Sequence, residues 1–126
     1  MSDSDKLIAM ELAALARWCR GDPTGFLEIY DPEIVYFDPF IPHRIDGLAA
    51  VSLYYEGLRG KNFAERYEMV DPVVCITADC ALLAFHFVSW DGDNRDHRWN
   101  CTEAYRKTAA GWRIVQSHWS LTRKQP

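Results

Sequence analysis

The chain has no apolar run long enough to span a bilayer, which predicts no membrane partner. It has no excess of positive charge. Lysine and arginine number 14 against 18 acids, for a net charge of -4. A phosphate-tracking surface needs the opposite balance, so nucleic acid is excluded as an expected partner. The opening residues MSDSDK are acidic and polar, unlike the basic start of a secretory signal. Cysteine is sparse. Cys19, Cys75, Cys80 and Cys101 form no C-x-x-C pair and no finger-like spacing. They read as reduced, partly buried thiols of a cytoplasmic protein, with no metal set among them. Linkers, repeats and low-complexity stretches are also missing. With 126 residues the chain is expected to form one domain, 1–126, large enough to bury a core.

What is present falls into two halves. In the first, Leu7, Ile8, Leu12, Leu15, Trp18 and Cys19 keep helical spacing, and Gly21 ends that helix. Asp22-Pro23 reads as a cap and first turn of a short second helix carrying Phe26, Leu27, Ile29 and Tyr30, stopped by Asp31-Pro32. Ile34 to Phe37 reads as a short strand. Asp46-Gly47 opens a third helix with Leu48, Val51, Tyr54, Tyr55 and Leu58, closed by Gly60. In the second half, segments 65–76, 80–90, 96–107 and 112–121 are rich in β-branched and aromatic residues and are separated by turn residues. Short links between long strands predict antiparallel hairpins. Pro72 predicts a bulge or an edge position. Helices followed by a meander predict an α+β fold, with N-terminal helices covering one face of a strongly curved antiparallel sheet in a cone-shaped, cystatin-like domain.

Such a cone leaves a concavity, and aromatics abound to line it: Trp18, Tyr30, Phe40, Tyr54, Tyr55, Phe85, Phe87, Trp90, Trp99 and Trp119. Most aromatics serve cores, so a site must be argued from polar groups among them. In VYFDPFIPH, Asp38 is a carboxylate among apolar, aromatic and proline residues, where it is costly unless paired or protonated. It also suits a turn beside proline. Glu103 stands mid-strand, where carboxylates are depleted, either inward or on a solvated outer face. Tyr30 and Tyr55 stand near helix ends. Strand parity places Trp99 and Cys101 on the face of Glu103. On the last strand either His118 with Gln116 or Trp119 with Ser117 points inward. The DGDN turn lacks the spaced acids of a calcium loop and reads as a hairpin turn.

The segments YFDPFIPHRIDG, YYEGLRG and GWRIVQSHWS, in this order and spacing, resemble the nuclear transport factor two-like superfamily, and within it the ketosteroid isomerase and SnoaL-like branch. The likeness runs from about Leu7 to Ser120. The association domain of calcium/calmodulin-dependent kinases is a further relative with a last hairpin of the same length and a histidine there, which implies His118 as the inward residue of the last strand. The resemblance implies a base at Asp38, ahead of the helix opened by Gly47. It also implies supporting tyrosines at Tyr30 and Tyr55, and a protonated strand acid at Glu103 in place of an aspartate. The first-helix tyrosine of the isomerases falls on Ala14, a departure from the pattern, with Trp18 one turn further on.

The implied activity is cofactor-free acid–base chemistry on a small apolar carbonyl compound: isomerisation, cyclisation or dehydration. Asp38 takes a proton, while Glu103 and Tyr55 steady the enolate. The donor pair of tyrosine and neutral acid is the known ketosteroid isomerase arrangement. Tyr30, Trp18, Phe40, Trp99 and His118 would contact the substrate. The resemblance further implies a homodimer made through the outer face of the sheet. A binding protein or an assembly domain of the same fold stands as the alternative.

Overall fold

The computed structural model of the chain describes residues 1–123. Helix α1 spans Asp3–Trp18. Ser2 caps it by accepting the Asp5 N–H at 3.1 Å, and Asp3 and Asp5 complement the dipole in the first turn. Gly21, at φ 80°, turns the chain away. Helix α2, Thr24–Leu27, is a single turn whose Thr24 N–H donates to Asp22 Oδ1 at 3.0 Å. Helix α3 spans Leu48–Glu56 and starts after Gly47, at φ 90°.

The strands are β1 Tyr30–Phe37, β2 Ile45–Asp46, β3 Arg66–Thr77, β4 Cys80–Trp90, β5 Asp96–Thr108 and β6 Gly111–Leu121. They form one six-stranded sheet in the order β2-β1-β6-β5-β4-β3. The α+β architecture and the long C-terminal meander follow the sequence expectation. The bulge at Pro72 does too: the β3–β4 register shifts between Val70 and Val73, with Asp71 at φ 51° on an edge strand.

Three features differ from the sequence reading. The second helix stops at Leu27, and Tyr30 opens β1 instead of ending a helix. The cause is tertiary. Tyr30 pairs with Ile114, and the Ile114 N–H donates to the Ile29 carbonyl at 2.8 Å, so β-branched Ile29 leaves the helix to meet β6. The sheet is mixed, because β1 runs parallel to β6. The third helix ends at Glu56, short of Gly60.

Alternation along β4 and β5 sends Leu83, Phe85, Phe87, Cys101, Glu103 and Tyr105 inward against Leu7, Leu15, Phe26 and Val51 of the helices. This packed base leaves the other end of the concavity open.

Candidate functional site

At that end lies a cavity of about 650 Å³. Its walls come from α1 and α2 (Trp18, Phe26), α3 (Tyr54, Tyr55), β1 (Tyr36) and the inner face of the sheet (Phe87, Trp99, Trp119). Trp119 is the hub, with ring centroids 5.8 Å from Phe85, 6.2 Å from Phe87 and 6.2 Å from Trp99, all near edge-to-face.

Asp38 is placed by the end of β1. Tyr36 points inward and Phe37 outward. Pro39 cannot extend the ladder, and the carboxylate turns back into the wall. Its Oδ1 accepts the Phe40 N–H at 2.8 Å. Its Oδ2 accepts the Tyr36 hydroxyl at 2.8 Å and the Tyr54 hydroxyl at 2.6 Å. The orientation of the carboxylate is therefore fixed from three sides. Burial, and then the Asp38 hydrogen bond and charge, push the Tyr54 hydroxyl well above its ordinary pKa. Burial, and then Tyr55 and Asp38, do the same to Tyr36. Both tyrosines hold their protons across the neutral range and serve as donors.

Among the residues expected at the site, Asp38, Tyr55, Trp18, Phe40 and Trp99 line the cavity. Phe40 sits at the rim, exposed, with its ring 5.7 Å from Trp99. Trp18 packs edge-on to Tyr55 at 5.0 Å. Tyr30 is not on the wall. It lies buried behind Tyr55, their hydroxyls 2.7 Å apart.

Glu103 is not on the wall either. It is fully buried on β5 opposite Ser117, next to Glu11 of α1. One ligating atom from each of Glu11, Cys101 and Glu103 lies within 4.8 Å of the others. Glu103 lies within hydrogen-bonding reach of Glu11, Ser117 and Cys101, and Glu11 Oε1 accepts the Tyr105 hydroxyl at 2.7 Å. Burial first, and then the Glu11 charge, push Glu103 well above the carboxylate range. Burial likewise raises Glu11 and the Cys101 thiol. The two carboxyl groups and the thiol thus share one fully buried cluster behind the cavity wall.

The inward assignment of His118 is corrected. His118 is exposed and stacks on Phe37 at 4.8 Å on the outer face. The register explains it: Phe37 pairs with His118 and inward Tyr36 with Ser117. Ser117 and Trp119 therefore face inward, and the Trp119 indole N–H donates to Ser117 Oγ at 3.1 Å. Ala14 is buried against Gly25, whose added Cβ would lie 3.3 Å from the Ala14 Cα, so α1 and α2 are in close contact where the isomerases carry a tyrosine.

The sequence reading left out Tyr36 and Glu11, and gave Tyr54 only as one of the aromatics available to line the cavity. Tyr36 stands two residues before Asp38 and shares its side of the strand. Glu11 stands four residues after Leu7 and four before Leu15, on the apolar stripe of α1. Both spacings were visible signals.

A curved mixed sheet with N-terminal helices over its concave face and an aromatic cavity at the open end defines the nuclear transport factor two-like fold. The sequence profile of the calcium/calmodulin dependent protein kinase II association domain matches residues 5–123, and the chain belongs to that family. Among solved structures, a candidate ketosteroid isomerase from Parabacteroides distasonis ATCC 8503 superposes with a TM-score of 0.88 at 33% identity, over 97% of this chain and 89% of that one. The CaMKII hub of S. rosetta shares the fold with a TM-score of 0.78 at 20% identity, over 97% of this chain and 98% of that one. A candidate dehydratase of the NTF2-like family from Streptomyces avermitilis does so with a TM-score of 0.78 at 20% identity, over 97% of each chain. No curated protein sequence matches the chain significantly.

Proposed function

We propose that the cavity binds a small, largely apolar carbonyl compound and that Asp38 removes a proton beside the carbonyl, in a cofactor-free isomerase, cyclase or dehydratase type of reaction. The observation that carries this reading is the Asp38 carboxylate itself. It sits in a wall of aromatic rings and is aimed by Tyr36, Tyr54 and the Phe40 N–H. A positioned carboxylate of this kind contributes through orientation as well as basicity. Tyr54 takes the role of enolate donor in place of the Glu103–Tyr55 pair. Glu103 lies off the wall, and the Tyr55 hydroxyl pairs with that of Tyr30, 2.7 Å away. When Asp38 takes up a proton it needs fewer donors, and the Tyr54 hydroxyl is free to turn to the developing oxyanion. The candidate isomerase from Parabacteroides distasonis, at 33% identity, lends this reading support.

The test uses benzylacetone in deuterium oxide. The protein is expected to bind it with a change in tryptophan fluorescence and to speed exchange of its α-protons beyond an equal concentration of acetate. Binding without any acceleration would move the chain to the ligand-binding class.

Self-association is a second reading, favoured by membership in an association-domain family. The outer face of the sheet offers exposed Val73 and Leu82 beside small Ala84 and Thr102, an apolar patch that a second copy would cover. The two readings are compatible, since the cavity opens on the other side of the sheet.

A further inference from the structure

The DGDN hairpin is more than a turn. Asp91 closes it by accepting the N–H groups of Asp93 and Arg95 on Oδ1, at 2.9 and 3.0 Å. Its Oδ2 is left for His97, whose Nε2 lies 3.0 Å away. Hydrogen bonds from His97 and from the Arg95 and Asp93 N–H groups hold the Asp91 carboxyl below its ordinary range. This carboxylate is therefore a fixed acceptor for the Nε2 proton, so the proton that His97 can gain and give up is the one on Nδ1. His97 stands two residues before Trp99 on the inward-facing register of β5, directly opposite Ser89 on β4. Ser89, Asp91 and His97 all line the same cavity as Asp38. The two walls meet where Phe40, two residues past Asp38, packs on Trp99.

One cavity thus holds an oriented carboxylate and an oriented imidazole on different elements. We propose that His97, held by Asp91, is a second proton-transfer residue of this site, and that the substrates are carbonyl compounds carrying a hydroxyl one carbon beyond the acidic C–H. The inference rests on the reading of Asp38 as base. Asp38 takes the proton from the carbon between carbonyl and carbinol. The C–H pair passes through the enolate and forms the C=C bond. The C–O bond breaks with its pair on oxygen, which takes the Nδ1 proton of doubly protonated His97. The products are an enone and water. Asp38 is left protonated and His97 neutral, and solvent returns one proton from the first to the second. No oxidant or reductant takes part.

The test uses the β-hydroxy ketone formed from benzaldehyde and acetone. Formation of benzylideneacetone is followed by absorbance, and α-proton exchange into deuterium oxide is followed by NMR. In His97→Gln, dehydration should fall about 10²-fold or more while exchange falls by less than about 10-fold, because the exchange step belongs to Asp38. In Asp38→Asn both should fall together. Circular dichroism of both variants checks the fold, and half-exposed His97 is a site where substitution is tolerated. Dehydration by His97→Gln at the wild-type rate overturns the assignment. So does a wild-type protein that exchanges the α-proton but forms no enone. Absence of exchange in the wild type overturns the Asp38 reading, and this inference with it.

Discussion

Among single residues, the Glu11–Glu103 pair carries a clear energetic cost. Two carboxyl groups are fully buried side by side, with Ser117, Cys101 and Tyr105 as the polar groups around them. Both are held in the folded state above the ordinary glutamate pKa of 4.5. Below that value folded and unfolded chains are both protonated at these positions. Above it the unfolded chain releases protons that the folded chain keeps, so stability falls as pH rises. Glu103→Gln removes one of the two titrations. It should raise the melting temperature at pH 7–8 by about 3–5 °C for each ~1 kcal/mol gained, with the advantage shrinking towards pH 4. An equal effect at both pH values would show that packing, not ionisation, governs the site. Tyr54 allows a sharper functional check. Tyr54→Phe removes a donor from Asp38 and from the developing enolate, and should lower α-proton exchange by about 10²-fold with binding of benzylacetone little changed. Tyr55→Phe should cost much less, because its hydroxyl is already committed to Tyr30.

At the scale of the element, the cavity mouth depends on the corner where α1 hands over to α2. The Gly21 carbonyl accepts the Gly60 N–H at 2.8 Å, and the Cys19 carbonyl accepts the Ala64 N–H at 2.9 Å. These bonds seat the segment carrying Leu58, Lys61, Asn62 and Phe63, which lines the cavity. A Cβ at Gly21 would lie 2.8 Å from Phe63 Cζ, at a φ of 80°. The exposed Phe63 ring can move, but the backbone strain remains. Gly21→Ala should therefore cost about 1–2 kcal/mol in chemical denaturation and weaken benzylacetone binding. Unchanged stability would mean that the corner is not under this constraint.

Much of this architecture could be read from local pattern. The four long strands, the bulge at Pro72 and the first helix carry their own periodicity and punctuation. The end of α2 and the parallel pairing of β1 with β6 could not be read in this way, because both are settled by contacts between Ile29–Tyr30 and Ile114, far apart in sequence. Asp38 stood out because a carboxylate among aromatics needs a reason. Tyr54 did not, because its neighbour Tyr55 fitted a family position and took the attention. The phase of β6 was ambiguous for a physical reason. Its register with β5 shifts between Ala104 and Tyr105, so alternation cannot be carried from Trp112 to Trp119 by counting.

At the scale of the whole molecule, the sheet separates two roles. Its concave face supplies the cavity, while its outer face presents Val73 and Leu82, 58% and 50% exposed, to solvent or to a second copy. Sedimentation should find self-association at micromolar concentration, and the pair Val73→Arg with Leu82→Arg should shift it to monomer. Wild-type protein that is monomeric throughout would remove the assembly reading without touching the cavity. No helix among the described residues is long and apolar enough to cross a membrane. The role of Asp38 in the cavity can be measured by α-proton exchange of benzylacetone by wild type and by Asp38→Asn at matched saturation, set by tryptophan fluorescence. Asp38→Asn should bind comparably and exchange about 10²–10⁴-fold more slowly. Equal exchange rates at equal saturation would contradict that role.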